Sequence, residues 1–174
     1  LDDILKAVRH AKDNDKVKGI YIESGTFAGA EPASLEEIRS ALTDFKESGK
    51  FIVAYGDNYT QGTYYISSVA DSVVINPQGM LEWQGIAMQS VFFKDVLDKV
   101  GVRMQVFKVG TYKSAVEPFI ATEMSDANRE QVSEYLASIW NDVVNAVSQS
   151  RGIDAGKLNE YADRYMDFCQ AEEY

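Results

Sequence analysis

The feature that most constrains this chain is an alternation between two hydrophobic periods. Leu1, Ile4, Leu5, Val8 and Ala11 recur at helical spacing, with charged residues on the opposite face. Asp13-Asn14-Asp15 breaks that pattern, and Val17 to Ile22 reads as a short buried strand. Ser34 followed by Glu37 has capping-box spacing; Leu35, Ile38, Leu42 and Phe45 then form one helical face, which Gly49 ends. Phe51 to Tyr55 predicts a second strand, running into a turn at Gly56-Asp57-Asn58. A short helix is expected from Gln61 to Ala70, then a third strand from Ser72 to Ile75, closed by Asn76-Pro77. Ser90 to Val100 reads as helical, Arg103 to Val109 as a fourth strand, and Ser125 to Val147 as one long amphipathic helix. Asp154 to Asn159 starts another small helix, and the pattern beyond Tyr161 is ambiguous. Strand and helix in alternation predict an α/β domain with a mostly parallel sheet. Without an internal repeat or a Pro/Ser-rich linker, a single domain over residues 1–174 is expected.

Charge and rare residues narrow the function classes. Lys plus Arg number 17 and Asp plus Glu 27, for a net charge of −10. Such a surface repels phosphate backbones, so no nucleic-acid partner is expected. One cysteine, Cys169, allows no internal disulfide framework and no Cys-based zinc site. One histidine, His10, makes multi-His metal sites and a His-based triad improbable, and no cofactor or metal is expected. A serine/lysine mechanism needs no histidine and stays open. No apolar run reaches the roughly 18–20 residues that span a bilayer. The chain opens at Leu1 within a helical pattern, and it is expected to be a piece of a longer protein.

Familiar chemical motifs are missing. There is no G-x-G-x-x-G, no P-loop and no G-x-S-x-G elbow, and Gly110 stands where an S-x-x-K pair with Lys113 would need serine. The informative segment is Val109-Gly110-Thr111-Tyr112-Lys113-Ser114-Ala115-Val116-Glu117-Pro118-Phe119. On its residues alone, Lys113 reads as a surface residue of a strand-to-helix turn. A lysine becomes a general base when burial away from carboxylates disfavours its ammonium form. The neighbours Val109, Tyr112, Ala115, Val116 and Phe119 allow that, whereas contact with Glu117 would oppose it.

This segment resembles the lysine segment of the signal peptide peptidase A family, in particular the N-terminal repeat of its long, tandem-repeat form. Gly56-Asp57-Asn58-Tyr59-Thr60-Gln61-Gly62-Thr63-Tyr64-Tyr65, Asn76-Pro77-Gln78-Gly79 and Met124-Ser125 fit the same repeat. The resemblance covers residues from about 1 to about 159. It implies a crotonase (Clp protease)-like α/β fold and a membrane-anchored serine peptidase that degrades cleaved signal peptides with a Ser/Lys dyad. Lys113 matches the general base, and Ser114 is a supporting residue that orients the amine or simply starts the turn. The resemblance further implies a bacterial inner-membrane protein facing the periplasm and a homo-oligomer, a tetramer at full length.

Two departures bear on activity. The family's active repeats place a nucleophilic serine before glycine at the start of the helix after the second strand, and here that place holds Gln61 before Gly62. The loop Glu23-Ser24-Gly25-Thr26-Phe27-Ala28-Gly29 lacks the Gly-Gly pair whose N–H groups would serve an oxyanion hole. The chain is therefore expected to donate lysine to a C-terminal repeat that donates serine, and to be inactive alone. A non-catalytic crotonase-like scaffold is the alternative, and an acyl-CoA enzyme on the same fold is disfavoured for want of a placed carboxylate. Tyr64, Tyr65, Phe92, Phe93, Trp83 and Trp140 read first as core or interface residues, Cys169 as a small buried hydrophobe, and His10 as solvated.

Overall fold

The computed structural model describes residues 1–25, 30–107, 110 and 113–164. The described residues of 1–85 and 142–164 form one compact unit, and those of 86–141 form another. The first unit is a three-stranded parallel sheet in the order β1 (Gly19–Glu23), β2 (Phe51–Tyr59), β3 (Ser72–Leu81). Helices alternate with the strands: α1 (Asp2–Asp13) precedes β1, α2 (Pro32–Lys46) links β1 to β2, and α3 (Gln61–Ser67) links β2 to β3. This is the α/β crotonase (Clp protease)-like class that the alternation and the resemblance predicted.

The pleat explains the core. Ile52 and Ala54 on one face of β2 are fully buried, and Ile38, Leu42 and Phe45 of α2 lie buried as well. Leu5 and Val8 of α1 are buried, while the charged face of that helix, His10 included, stays exposed. Lys50 ties the end of α1 to the start of β2 by donating to the carbonyls of Ala11, Lys12 and Asn14 at 2.7–2.9 Å. Those carbonyls are orphans of a helix C-terminus, where a cation is favourable.

Several local expectations need correction. α2 starts at Pro32 with Glu31 at its N-cap and no side-chain cap bond, so Ser34 is not the cap. Proline at the first helical position needs no N–H partner and presets φ. Gly56-Asp57-Asn58 is not a turn, because β2 continues through it to Tyr59. β3 also continues past Asn76-Pro77, and its pairing with β2 is irregular there: Gly56 pairs Ile75, and pairing resumes at Asn58 with Met80. Side chains hold that irregularity. Asp57 accepts from Tyr55 Oη and Asn76 Nδ2, both at 2.9 Å, and Asn58 Oδ1 accepts the Met80 N–H at 2.8 Å. A Cβ on Gly79 would lie 1.8 Å from the Asp57 carbonyl oxygen, so only glycine fits that crossing.

In the second unit, α4 (Lys94–Lys99) is shorter than Ser90 to Val100, and α5 is the single turn Glu117–Ile120. Residues 103–107 form no strand; 108–109, the rest of the fourth-strand prediction, lie outside the described residues. α6 (Asp126–Arg151) outruns its predicted end at Val147. α7 (Ala155–Arg164) starts on Asp154, whose carboxylate accepts the Lys157 N–H at 3.1 Å. Cys169 lies outside the described residues.

Two polar devices fix the first unit. Arg39, 8% exposed, donates to the Tyr65 carbonyl, to Ser68 Oγ at 2.6 Å, to the Ala146 carbonyl at 2.8 Å and to Ser150 Oγ at 2.5 Å. Asp71 exchanges hydrogen bonds with the Ile52 backbone in both directions, each 2.8 Å, and pairs with Lys46 at 2.9 Å. The Ile52 N–H and then Lys46 hold the Asp71 carboxyl below its usual pKa.

Arg39→Ala is expected to destabilise the chain by about 3 kcal/mol, because two buried and two part-buried acceptors lose a donor, each loss at about 1–3 kcal/mol where no other donor remains; urea unfolding measures it. Asp71→Asn tests a pH dependence. A depressed folded pKa contributes stability above the unfolded value of about 4 and loses it as pH falls toward the folded value. The stability gap between wild type and Asp71→Asn is therefore expected to be constant near neutrality and to close below about pH 4.

Candidate active site

The place expected for a nucleophile is well built. Thr60 caps α3, its Oγ1 accepting the Thr63 N–H at 3.2 Å, so Gln61 occupies the first helical position after β2. Gly62 behind it is packed closely, since a Cβ there would lie 3.1 Å from Leu35 Cδ1. The Gln61 amide bonds to the segment after β3. Its Oε1 accepts the N–H groups of Gln84 at 3.2 Å and Gly85 at 3.1 Å, and its Nε2 donates to the Gly85 carbonyl at 3.3 Å. An amide offers donor and acceptor to a backbone as another peptide would, and it has no nucleophilic hydroxyl.

Serines do occur nearby in the first unit, but without a base. Ser24, at the end of β1, and Ser67, at the end of α3, are buried and share a hydrogen bond of 3.2 Å. Ser68 is bonded to Arg39, a permanent cation that cannot take a proton. Among the described residues, neither Ser24 nor Ser67 is bonded to a lysine, arginine or histidine. A cavity of about 230 Å³, walled largely by aliphatic side chains such as Ile20, Ile22, Ile38 and Ile66, also touches Ser24, Thr63 and Ser67. Of the loop Glu23–Gly29, residues 26–29 lie outside the described residues, so the missing Gly-Gly pair is a statement of sequence alone.

Lys113 belongs to the second unit and is exposed. Its neighbours Thr111 and Tyr112 lie outside the described residues. Directly after it the backbone is fixed: the Ser114 carbonyl accepts the Glu117 N–H at 2.9 Å, closing a turn that leads into α5. The Glu117 carboxylate is buried and accepts from Ser125 Oγ at 2.6 Å, Asn128 Nδ2 at 3.0 Å and the Ser125 N–H at 3.3 Å. Phe119 stacks on Phe93 with ring centroids 6.0 Å apart, and the Pro118 carbonyl accepts the Phe93 N–H at 2.6 Å. The sequence singled out Glu117 only as a threat to the lysine; its anchoring on Ser125 and Asn128, one helical turn apart, comes from the structure.

The aromatic residues mainly serve packing. Tyr64 meets Tyr59 and Trp83 edge-on, and Trp83 is buried with its indole N–H donating to the Leu158 carbonyl at 2.8 Å. Among the described residues, no group of three or more His, Cys, Asp or Glu side chains could hold a metal ion, and no helix is long and apolar enough to cross a membrane.

Comparison with known proteins bears on the whole chain. Residues 44–171 match Peptidase family S49. The chain is 41% identical over 167 residues to Protease 4 of Salmonella typhi and 38% identical over 164 residues to Protease 4 of Haemophilus influenzae. These alignments cover 96% and 94% of this chain but 27% of each relative, so the chain spans about a quarter of their length. It is also 24% identical over 170 residues to a protein of Enterococcus faecium named putative signal peptide peptidase SppA, covering 97% of this chain and 49% of that relative. The match over residues 44–171 and this extent of identity, on a parallel α/β sheet, place the chain in peptidase family S49.

Proposed function

We propose that this chain is the lysine-donating domain of a serine peptidase that cleaves signal peptides released into the membrane. The observation that carries the reading is the division of labour between two positions. Gln61 fills the nucleophile's place with an amide bonded to backbone, whereas Lys113 stands exposed beside a turn that is firmly held. Such a chain supplies a base and takes its nucleophile from elsewhere, here a C-terminal repeat of the same protein.

In the proposed reaction Lys113 Nζ, unprotonated, takes the proton of that serine's hydroxyl. The serine oxygen attacks the scissile carbonyl, the amine product leaves with a proton, and water hydrolyses the acyl-enzyme. A lysine serves as a base at neutral pH only out of water. The surface that brings the serine must therefore also cover Lys113. The second unit offers such a partner ample apolar surface: Val91, Val96, Val100, Met104 and Phe107 are all exposed. An assembled homo-oligomer, anchored in the bacterial inner membrane and facing the periplasm, follows the same reading. Ser114 is assigned to orienting the amine.

Two measurements test the proposal. In the full-length protein, Lys113→Ala is expected to lower kcat for a signal-peptide substrate by about 10²–10⁴-fold, the usual contribution of a general base. Unchanged activity would favour the scaffold reading. The isolated 174-residue chain is expected to resist covalent labelling by a serine-directed fluorophosphonate, and intact-mass spectrometry showing stoichiometric adduct at one serine would refute the missing-nucleophile argument.

A further inference from the structure

Among the described residues Glu117 is the one acidic side chain that is buried, at 4% exposed. A buried carboxylate is costly unless donors surround it. Glu117 has Ser125 Oγ, the Ser125 N–H and Asn128 Nδ2. Ser125 caps α6: its carbonyl accepts the Arg129 N–H at 2.8 Å, and its Oγ accepts the Asn128 N–H at 3.3 Å. The carboxylate thus sits on the first turn of a 26-residue helix, at the positive end of its dipole.

The backbone of the same residue faces the lysine segment. The Glu117 N–H closes the turn onto the Ser114 carbonyl, the residue after Lys113. Pro118 fixes φ immediately beyond, and the Glu117 carbonyl accepts the Ala121 N–H at 2.8 Å. One residue therefore joins the turn that directly follows Lys113 to the start of the 26-residue α6.

We propose that Glu117 is a positioning residue for Lys113, its buried carboxylate bolting the turn that follows the lysine to the N-terminus of α6. This rests on the reading of Lys113 as the general base. Glu117 touches neither substrate nor nucleophile in this scheme; it acts through the backbone. Base catalysis tolerates little displacement, and a shift near 1 Å costs roughly a hundredfold in rate.

The test uses the full-length protease with Lys113→Ala, Glu117→Gln, Ser125→Ala and Asn128→Ala, each assayed for kcat and KM on a signal-peptide substrate. Competent sites are counted by fluorophosphonate titration. Glu117→Gln keeps the shape but removes the negative charge held at the N-terminus of α6 and leaves one accepting oxygen in place of two. It is expected to lower kcat per titrated site by roughly a hundredfold with KM within about twofold, and the Ser125 and Asn128 variants by roughly tenfold. An inactive Lys113→Ala with normal kcat per site in Glu117→Gln overturns the positioning role alone. An active Lys113→Ala overturns the base reading on which it rests. If Glu117→Gln fails to fold, normal kcat per site in both Ser125→Ala and Asn128→Ala overturns the proposal.

Discussion

The first unit depends on the guanidinium of Arg39. It is buried, and burial pushes its pKa below the usual value, yet arginine keeps its charge under any ordinary condition. Among the described residues its partners are neutral: two carbonyls, two hydroxyls and the face of the Tyr65 ring, 4.8 Å from the guanidinium carbon. What neutralises the cation is the geometry of the helices. Tyr65 and Ser68 lie at the end of α3, and Ala146 and Ser150 lie in the last turns of α6, so two helix C-termini direct their partial negative charge at one site. Arg151 adds a second bond across the same join, donating to the Ala70 carbonyl at 3.1 Å. Planar, forked donors suit this task; a lysine in the same place would offer a point charge and fewer directions.

The sequence made the sheet and its helices legible because their signals are periodic. Alternating burial in β2 and the helical faces of α1 and α2 follow from spacing alone. Where the reading failed, a tertiary interaction outweighed a local preference. Gly56-Asp57-Asn58 has turn chemistry, but Tyr55, Asn76 and Met80 hold it in the sheet. Ser34 is a good cap by composition, yet Pro32 starts the helix earlier. Residues 103–107 have the apolar content of a strand but no ladder forms there, and Phe107 is 92% exposed.

The candidate site was reached by a different route. No periodicity marks Lys113; a run of residues resembling a family singled it out. The partners of Glu117 and Gln61 were invisible because each reaches a segment distant in sequence, at residues 125–128 and 84–85 respectively. Long polar side chains bonded to remote backbone leave no pattern in a single chain. Both positions illustrate the same economy. A side chain with several donors or acceptors secures a loop that has no secondary structure of its own.

The Gln61 amide makes two segments interdependent. A serine placed there would do more than supply a hydroxyl. Its shorter side chain cannot reach residues 84 and 85, so two N–H groups and one carbonyl would lose a partner together. A hydroxyl at this position therefore calls for a rebuilt segment after β3. The two changes are tied, and neither is neutral without the other.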